Sequence, residues 1–275
     1  MDISVIIPTY KPGDYIWQCL DSLKSQTLSH DSFEAIIILN GCNEPYYSQI
    51  KNYLANWPQT LQHTFVQTDE GGVSNARNMG IDLAKGKYLS FLDDDDWISP
   101  TYLERLCEKA VNDDTLVIAN VKNYDEKAKE MRDDWLSASY KKNASLQHPS
   151  LLSCRSFLSV TCCKLLSRKA IADHRFDTRF RQGEDSLFFA GISHKLKQFR
   201  CTQPDAVYYI RIRAKSAGRA RSAWNIISDN ARLAWAFIKL FLKAPCHYNF
   251  LFFMTRVAAC AKGTIRNIRH SCLSF

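Results

Sequence analysis

Tyr88-Leu89-Ser90-Phe91-Leu92-Asp93-Asp94-Asp95-Asp96 runs a short strand-like segment straight into four consecutive carboxylates. Adjacent like charges repel, and each resists leaving water, so the run needs an explanation. One reading is an exposed acidic turn ahead of a helix N-terminus, which the helix dipole favours. The other is a cation-binding turn. Hard divalent cations such as Mg²⁺ or Mn²⁺ take carboxylate oxygens and complete their shell with substrate phosphates. The position of the run at the end of a buried strand favours the second reading. On a strand-like backbone Asp93 and Asp95 point to one side and Asp94 to the other, which makes Asp93 and Asp95 the working pair.

Upstream, the chain repeats one pattern. Ile3 to Pro8 is short, β-branched and continuously apolar, as a strand buried on both faces should be. Ile16, Cys19, Leu20 and Leu23 then recur at helical spacing, which predicts a helix over 13–26. Ala35 to Leu39 repeats the strand, and Tyr46, Tyr47, Ile50, Leu54 and Trp57 repeat the helix. A third strand over 62–67, a break at Gly71-Gly72, a helix over 73–84 and a fourth strand over 88–92 complete the series. Downstream of the aspartates, Ser99 and Pro100 suit the cap and first position of another helix, with Leu103, Leu106, Cys107 and Ala110 on its core face. Such alternation implies a mostly parallel sheet covered by helices on both sides. Ligands of such sheets bind beyond the carboxyl ends of the strands, which gathers 8–11, 40–43, 71–78 and 93–96 around one crevice.

With 275 residues and 46% hydrophobic composition the chain can bury a full core. Its net charge of +8 is uneven, because residues 197–275 hold 14 Lys/Arg against two Asp/Glu. A basic end attracts phosphates or anionic lipid, or is a solvated face. The ten cysteines are irregularly spaced, without a CxxC pair, which fits reduced thiols in a cytoplasmic protein and argues against structural zinc. Met1-Asp2 leads directly into the first strand, so no signal peptide is expected. No GxxxxGK[ST] and no GxGxxG occurs, against P-loop and dinucleotide enzymes.

Three ordered motifs carry a resemblance. They are Val5-Ile6-Ile7-Pro8-Thr9-Tyr10, Gly72-Val73-Ser74-Asn75-Ala76-Arg77-Asn78-Met79-Gly80-Ile81, and Phe91-Leu92 with Asp93 to Asp96, Trp97 and Ile98. Lys164 to Arg168, Phe180 to Phe188 and Tyr208 to Ser216 extend it, so that coverage runs from about residue 2 to about 216. The chain resembles the inverting glycosyltransferases of family 2, with the fold called GT-A. The resemblance implies a nucleotide-sugar-binding half over 1–110 and an acceptor-binding half over 111–220, followed by a basic, aromatic-rich helical extension over 221–275. By similarity Pro8, Thr9 and Tyr10 line the nucleoside pocket, Arg77 contacts the donor, and Asp93, Asp94 and Asp95 belong to the donor site. Asp95 is then the foremost metal ligand, with Asp93 beside it, for Mn²⁺ or Mg²⁺. Relatives carry an aspartate pair after the second strand where this chain has Asn40, which leaves the nucleotide, usually uridine, less fixed.

Inverting transfer needs a carboxylate to take the acceptor hydroxyl's proton. The resemblance nominates Asp185 as that base, with Glu184 holding the acceptor; the same pair can also be read as a plain acidic helix N-terminus. Lys164, Arg211 and Arg213 are candidate cations for the leaving diphosphate, and the two arginines equally suit a solvated strand. Residues 120–150 read as a mobile loop or acceptor lid. Beyond Ser222 two helices are expected, one broken near Pro245 and one from about Tyr248 to Ile268, flanked by Arg266, Arg269 and His270. Neither is apolar enough to span a membrane. They suit in-plane contact through 222–275 with the cytoplasmic membrane face, or a helical cap, or a dimer contact. The expected function is sugar transfer from a nucleotide-diphosphate-sugar, with UDP as the usual carrier, to a glycan or lipid-linked glycan, as in cell-surface polysaccharide synthesis. No nucleic acid is expected as a partner. The rivals are an inactive nucleotide-sugar-binding homologue, and a metal-dependent nucleotidyltransferase that would release pyrophosphate.

Overall fold

The computed structural model describes residues 1–213 and 223–272. The first half follows the expected alternation. In chain order it forms β1 (Ile3–Thr9), α1 (Tyr15–Lys24), β2 (Phe33–Asn40), α2 (Tyr46–Leu54), β3 (His63–Thr68), α3 (Val73–Leu83), β4 (Tyr88–Phe91), β5 (Trp97–Ile98) and α4 (Tyr102–Lys109). Every residue of β1 and β2 is buried, as the continuous apolar runs require for central strands covered on both faces.

The second half supplies β6 (Thr115–Ile118), β7 (Asn120–Asp125), β8 (Glu130–Arg132), α5 (Trp135–Ala144), β9 (Lys164–Ser167), α6 (Arg168–Ile171), α7 (Glu184–Ile192), β10 (Gln198–Cys201) and β11 (Val207–Ile212). The large sheet has the order β10-β6-β9-β4-β1-β2-β3 and is parallel except for β9, which runs against both of its neighbours. A second sheet, β5-β11-β7-β8, lies outside the simple alternation. It exists because Trp97 and Ile98 pair antiparallel with Tyr209 and Tyr208, tying the segment after the aspartates to a strand more than a hundred residues away.

Two local expectations are corrected. Residues 120–150 are not a mobile loop: β7 pairs in register with β11, and α5 begins with a capping box in which Asp134 accepts from the backbone of Leu136 and Ser137 while Ser137 Oγ accepts from Asp134 N. The polar residues there are the exposed face and caps of ordered elements. Ser99 does not cap α4, which begins at Tyr102; its hydroxyl donates to Asp205 O and accepts from Val207 N, stitching the small sheet.

Glycine sets one helix-to-sheet distance. A Cβ on Gly80 would lie 2.3 Å from Ile6 Cγ2, so α3 rests its backbone almost directly on β1. The extension is a hairpin of α8 (Ala223–Lys243) and α9 (Phe250–Cys272), with the break between them at the expected place. Its inner side packs on the preceding domain. A Cβ on Gly183, whose φ is +79°, would meet Leu233 Cδ2 at 2.2 Å, and Tyr248 Oη donates to Gly191 O on α7. The expected boundary at 220/221, the end of the Tyr208–Ser216 segment and the side chains of Arg266, Arg269 and His270 lie outside the described residues. Among the described residues no helix is long and apolar enough to cross a membrane.

Candidate active site

The loops after β1, β2 and β3 close on one another at the carboxyl edge. Asn40 is buried and both ends of its amide are engaged: Nδ2 donates to Thr9 O at 2.7 Å, and Oδ1 accepts from Gly72 N at 2.9 Å. It fixes two loops by these two bonds, which leave its second amide hydrogen uncommitted. Gly41, at φ +62°, would bring a Cβ to 2.8 Å from Gly71 Cα, so these loops touch backbone to backbone. Pro8 and Thr9 are themselves buried, leaving Tyr10, 54% exposed, as the side chain of that trio on the surface.

Asp93 to Asp96 form a turn, closed by Asp96 N donating to Asp93 O, so strand alternation does not direct their carboxylates. Each has its own surroundings. Asp93 pairs with Arg77 Nη2 at 3.3 Å, and Asp95 pairs with Arg213 Nη2 at 2.6 Å. Asp94 accepts a backbone bond from Tyr10, yet its Oδ2 is buried without a partner. Asp96 accepts from Arg211 N at 2.8 Å, and Tyr208 Oη accepts from Asp93 N at 3.0 Å, so β11 grips the turn from beneath. Burial, then the charges of Asp95 and Asp93, push the Asp94 carboxyl up to about 8. Burial and Asp93 also raise Asp95 against the pull of Arg213, and they raise Asp96 well above the ordinary carboxylate range. Among the described residues Asp94 and Asp96 have no ion-pair partner, whereas Asp93 and Asp95 each have one.

Arg77 joins this turn to the second half. Its Nη1 lies 2.7 Å from Asp185 Oδ1 and 3.4 Å from Glu184 Oε1, while Nη2 reaches Asp93. Burial works against its charge, but Asp185, Asp93 and Glu184 outweigh that and raise its pKa, so it stays a cation. Glu184 is raised by burial and by Asp185 beside it. Residues 77, 93, 184 and 185 therefore meet at one guanidinium, although more than a hundred positions separate the first from the last. Gly183, in the left-handed conformation, turns the chain so that α7 starts with both carboxylates facing this cluster.

The other expected cations do different work. Lys164 is not available to a diphosphate. It sits in the middle of the large sheet, fully buried, and its three donors are taken by the carbonyls of Val160, Thr161 and Cys162 at 2.5, 3.1 and 2.9 Å, with burial lowering its pKa. Arg211 braces the acidic turn from outside: Nε donates to Asp95 O, Nη2 to Gln18, and the guanidinium stacks on Trp97 at 4.9 Å. Of these three cations, Arg213 is the one that pairs with a carboxylate of the turn, as Arg77 does from the other side. Sequence reasoning missed Tyr208, a fully buried tyrosine in an apolar strand whose only outward signal was its hydroxyl.

The turn fits a divalent cation of a particular kind. Among the described residues no three His, Cys, Asp or Glu converge into a closed cage. Asp94 and Asp96 have no ion-pair partner among the described residues, while Asp93 and Asp95 are paired with Arg77 and Arg213; such a turn could offer an ion one or two carboxylates, with its remaining positions left to phosphate oxygens and water.

The sequence model of Glycosyl transferase family 2 matches residues 4–175. The chain is 39% identical over 112 residues to "Uncharacterized glycosyltransferase YibD" of Escherichia coli (strain K12), covering 41% of this chain and 31% of that protein. It is 25% identical over 237 residues to "Minor teichoic acid biosynthesis protein GgaB" of Bacillus subtilis (strain 168), covering 81% of this chain and 24% of that one. The chain thus spans 62% or less of the length of these and one further curated relative. In fold it is similar to S. aureus TarS residues 1–349, solved in complex with UDP-GlcNAc, at a TM-score of 0.68 and 22% identity over 86% of this chain and 67% of that one. The family match extends over more than half of the sequence, and the chain belongs to glycosyl transferase family 2.

Proposed function

We propose that the chain transfers a sugar, with inversion, from a nucleotide-diphosphate-sugar, with UDP as the foremost carrier, to a hydroxyl of a glycan or lipid-linked glycan in cell-surface polysaccharide synthesis. The observation that carries this reading is the single arginine, Arg77, on which the acidic turn and the Glu184–Asp185 pair converge. One end of that cluster suits a diphosphate, the other an acceptor hydroxyl. TarS, similar in fold, is solved with UDP-GlcNAc, which supports UDP as the carrier, and GgaB is by its name a teichoic acid biosynthesis protein, which supports a cell-surface acceptor.

In this mechanism Asp185 accepts the proton of the acceptor hydroxyl as its oxygen bonds to the anomeric carbon. The bond from that carbon to the donor phosphate breaks, and the nucleoside diphosphate leaves with the electron pair. Glu184 positions the acceptor, and Arg77 ties the base to the turn, so that neither carboxylate drifts. Asp95 and Asp93 would hold a divalent cation, Mn²⁺ or Mg²⁺, which when bound would supply positive charge for the departing diphosphate. Arg213 holds Asp95 in place beside it.

The exposed side of the hairpin supports a peripheral membrane position on the cytoplasmic face. Trp235, Leu242, Phe250, Leu251 and Met254 are each about half exposed or more, and Lys239 and Lys243 lie among them. A lipid-linked acceptor would be met there.

The test is a panel of nucleotide-sugars with Mn²⁺ or Mg²⁺, read by release of nucleoside diphosphate and by chelator sensitivity. Transfer predicts nucleoside diphosphate as product. Release of pyrophosphate from a nucleoside triphosphate would instead indicate a nucleotidyltransferase, and binding without release an inactive homologue.

A further inference from the structure

Between the start of α7 and the α8–α9 hairpin lies a cavity of about 230 Å³. Its polar lining comes from Ser159, Gln182, Ser186, Asp229, Asn230 and Arg256. At about 30 Å³ per water, it has room for several waters or one phosphate-sized anion.

Arg256 is the unusual member. It is 6% exposed, yet no Asp or Glu pairs with it among the described residues. Its Nη1 donates to Ser159 Oγ at 2.5 Å, Nε makes a long contact of 3.5 Å to Thr255 Oγ1, and the guanidinium lies over the Phe252 ring at 4.9 Å. No hydrogen bond from Nη2 to a described residue exists. Asp229 also borders the cavity, but it is engaged in another interaction and is not ion-paired with Arg256. Burial, then the like charge of Arg155, pulls the Arg256 guanidinium down to about 10. A buried guanidinium left this way needs an anion.

We propose that this cavity binds a phosphoryl group carried by the acceptor, with Arg256 as the charged anchor. The planar fork of a guanidinium matches two oxygens of a phosphate, and the second amide hydrogen of Asn230, whose first goes to Thr264 Oγ1, can donate to a third; the Ser159 and Ser186 hydroxyls, which donate to Arg155 O and Gly183 O, would have to turn to join them. The position deepens the proposed function and rests on it. Gly183 and Ser186, which line the cavity, flank Glu184 and Asp185 in the chain, so a phosphoryl group seated here lies within one helical turn of the candidate base, whose carboxylate itself faces Arg77. The donor diphosphate belongs across Arg77, at the acidic turn, so the two anions have separate sites. The extension thereby becomes part of acceptor recognition.

Titration calorimetry and melting shifts on the full chain, without donor, test the proposal. One arm uses inorganic phosphate and the other sub-micellar hexyl phosphate, each against sodium chloride at equal ionic strength. Wild type is expected to bind both, and Arg256→Met to weaken both by at least about tenfold, the size of one charge-assisted bond. Tighter binding of hexyl phosphate points to a lipid-borne phosphoryl group, and equal binding to a phosphate within the glycan. No binding to wild type, or equal binding to Arg256→Met, overturns the proposal. Should that variant not fold, Arg256→Lys decides, because it keeps the charge and loses the fork; unchanged affinity there also overturns the idea. A wild type that binds phosphate but never releases nucleoside diphosphate refutes the proposed function and leaves the cavity standing. One that turns over donor and ignores phosphate does the reverse.

Discussion

Arg77 and Arg256 are equally buried, at 5% and 6% exposure, yet their surroundings are opposite. Around Arg77 three carboxylates from two distant parts of the chain converge, and its pKa rises despite burial. Around Arg256 there is a hydroxyl, an aromatic ring, a like-charged neighbour and open space, and its pKa falls. A buried cation with fixed partners is a structural joint, because removing it strands the acids. A buried cation whose partners are hydroxyls and a ring, with no acid among the described residues, suits an anion that arrives later. The same residue type therefore reports on assembly at the acidic turn and, as proposed, on ligand binding in the extension.

The contrast can be broken most directly by substituting both. Arg77→Met should cost about 3–5 kcal/mol in urea denaturation, since it leaves buried charges uncompensated, and should abolish release of nucleoside diphosphate. Arg256→Met in phosphate-free buffer should change stability by less than about 1 kcal/mol in either direction, because an apolar side chain of similar shape replaces an unpaired charge. Equal losses would erase the distinction. Asp185→Asn sharpens it on the catalytic side: donor binding by calorimetry should persist while turnover falls by about a hundredfold or more.

Next in size is Gly183→Ala, which places a methyl group against Leu233 at a positive φ. It should lower stability by about 1–3 kcal/mol, and Leu233→Ala in the same chain should recover part of the loss. The smallest effect concerns pH. Burial lowers the pKa of His174 against a bond to Phe188 O, so the unfolded chain takes up this proton before the folded one does. The contribution is intact above about pH 6.5, the unfolded value, and declines as pH falls below it toward the depressed folded value. His174→Gln should flatten the difference between urea midpoints at pH 7.5 and 5.5 by a measurable but minor amount.

Much of the N-terminal half was legible from the sequence because each of its signals is local. Continuous apolar runs mark β1 and β2, helical spacing marks α1, and the aspartates follow β4 directly. The second half was less legible because its order is non-local. Residues 120–150 look like a loop until β11 pairs with β7, and Ser99 looks like a cap until Asp205 and Val207 claim its hydroxyl. At the site, types were easier to name than duties. Arg77 and Asp185 could be nominated separately, but nothing in either neighbourhood announces that they touch. Lys164 had the right charge and family position, and only the carbonyls around its ammonium reveal that its hydrogen bonds are already complete.

The bare contact between Gly80 and Ile6 has a practical corollary for anyone stabilising this protein. Gly80 sits one helical turn beyond Arg77 on α3, so the height of that helix above the sheet sets how far the guanidinium extends over the strand ends. An alanine there, attractive on helix propensity alone, would lift α3 like a shim and pull the arginine off its acids. A residue with no chemistry of its own thus calibrates the reach of one that has a great deal.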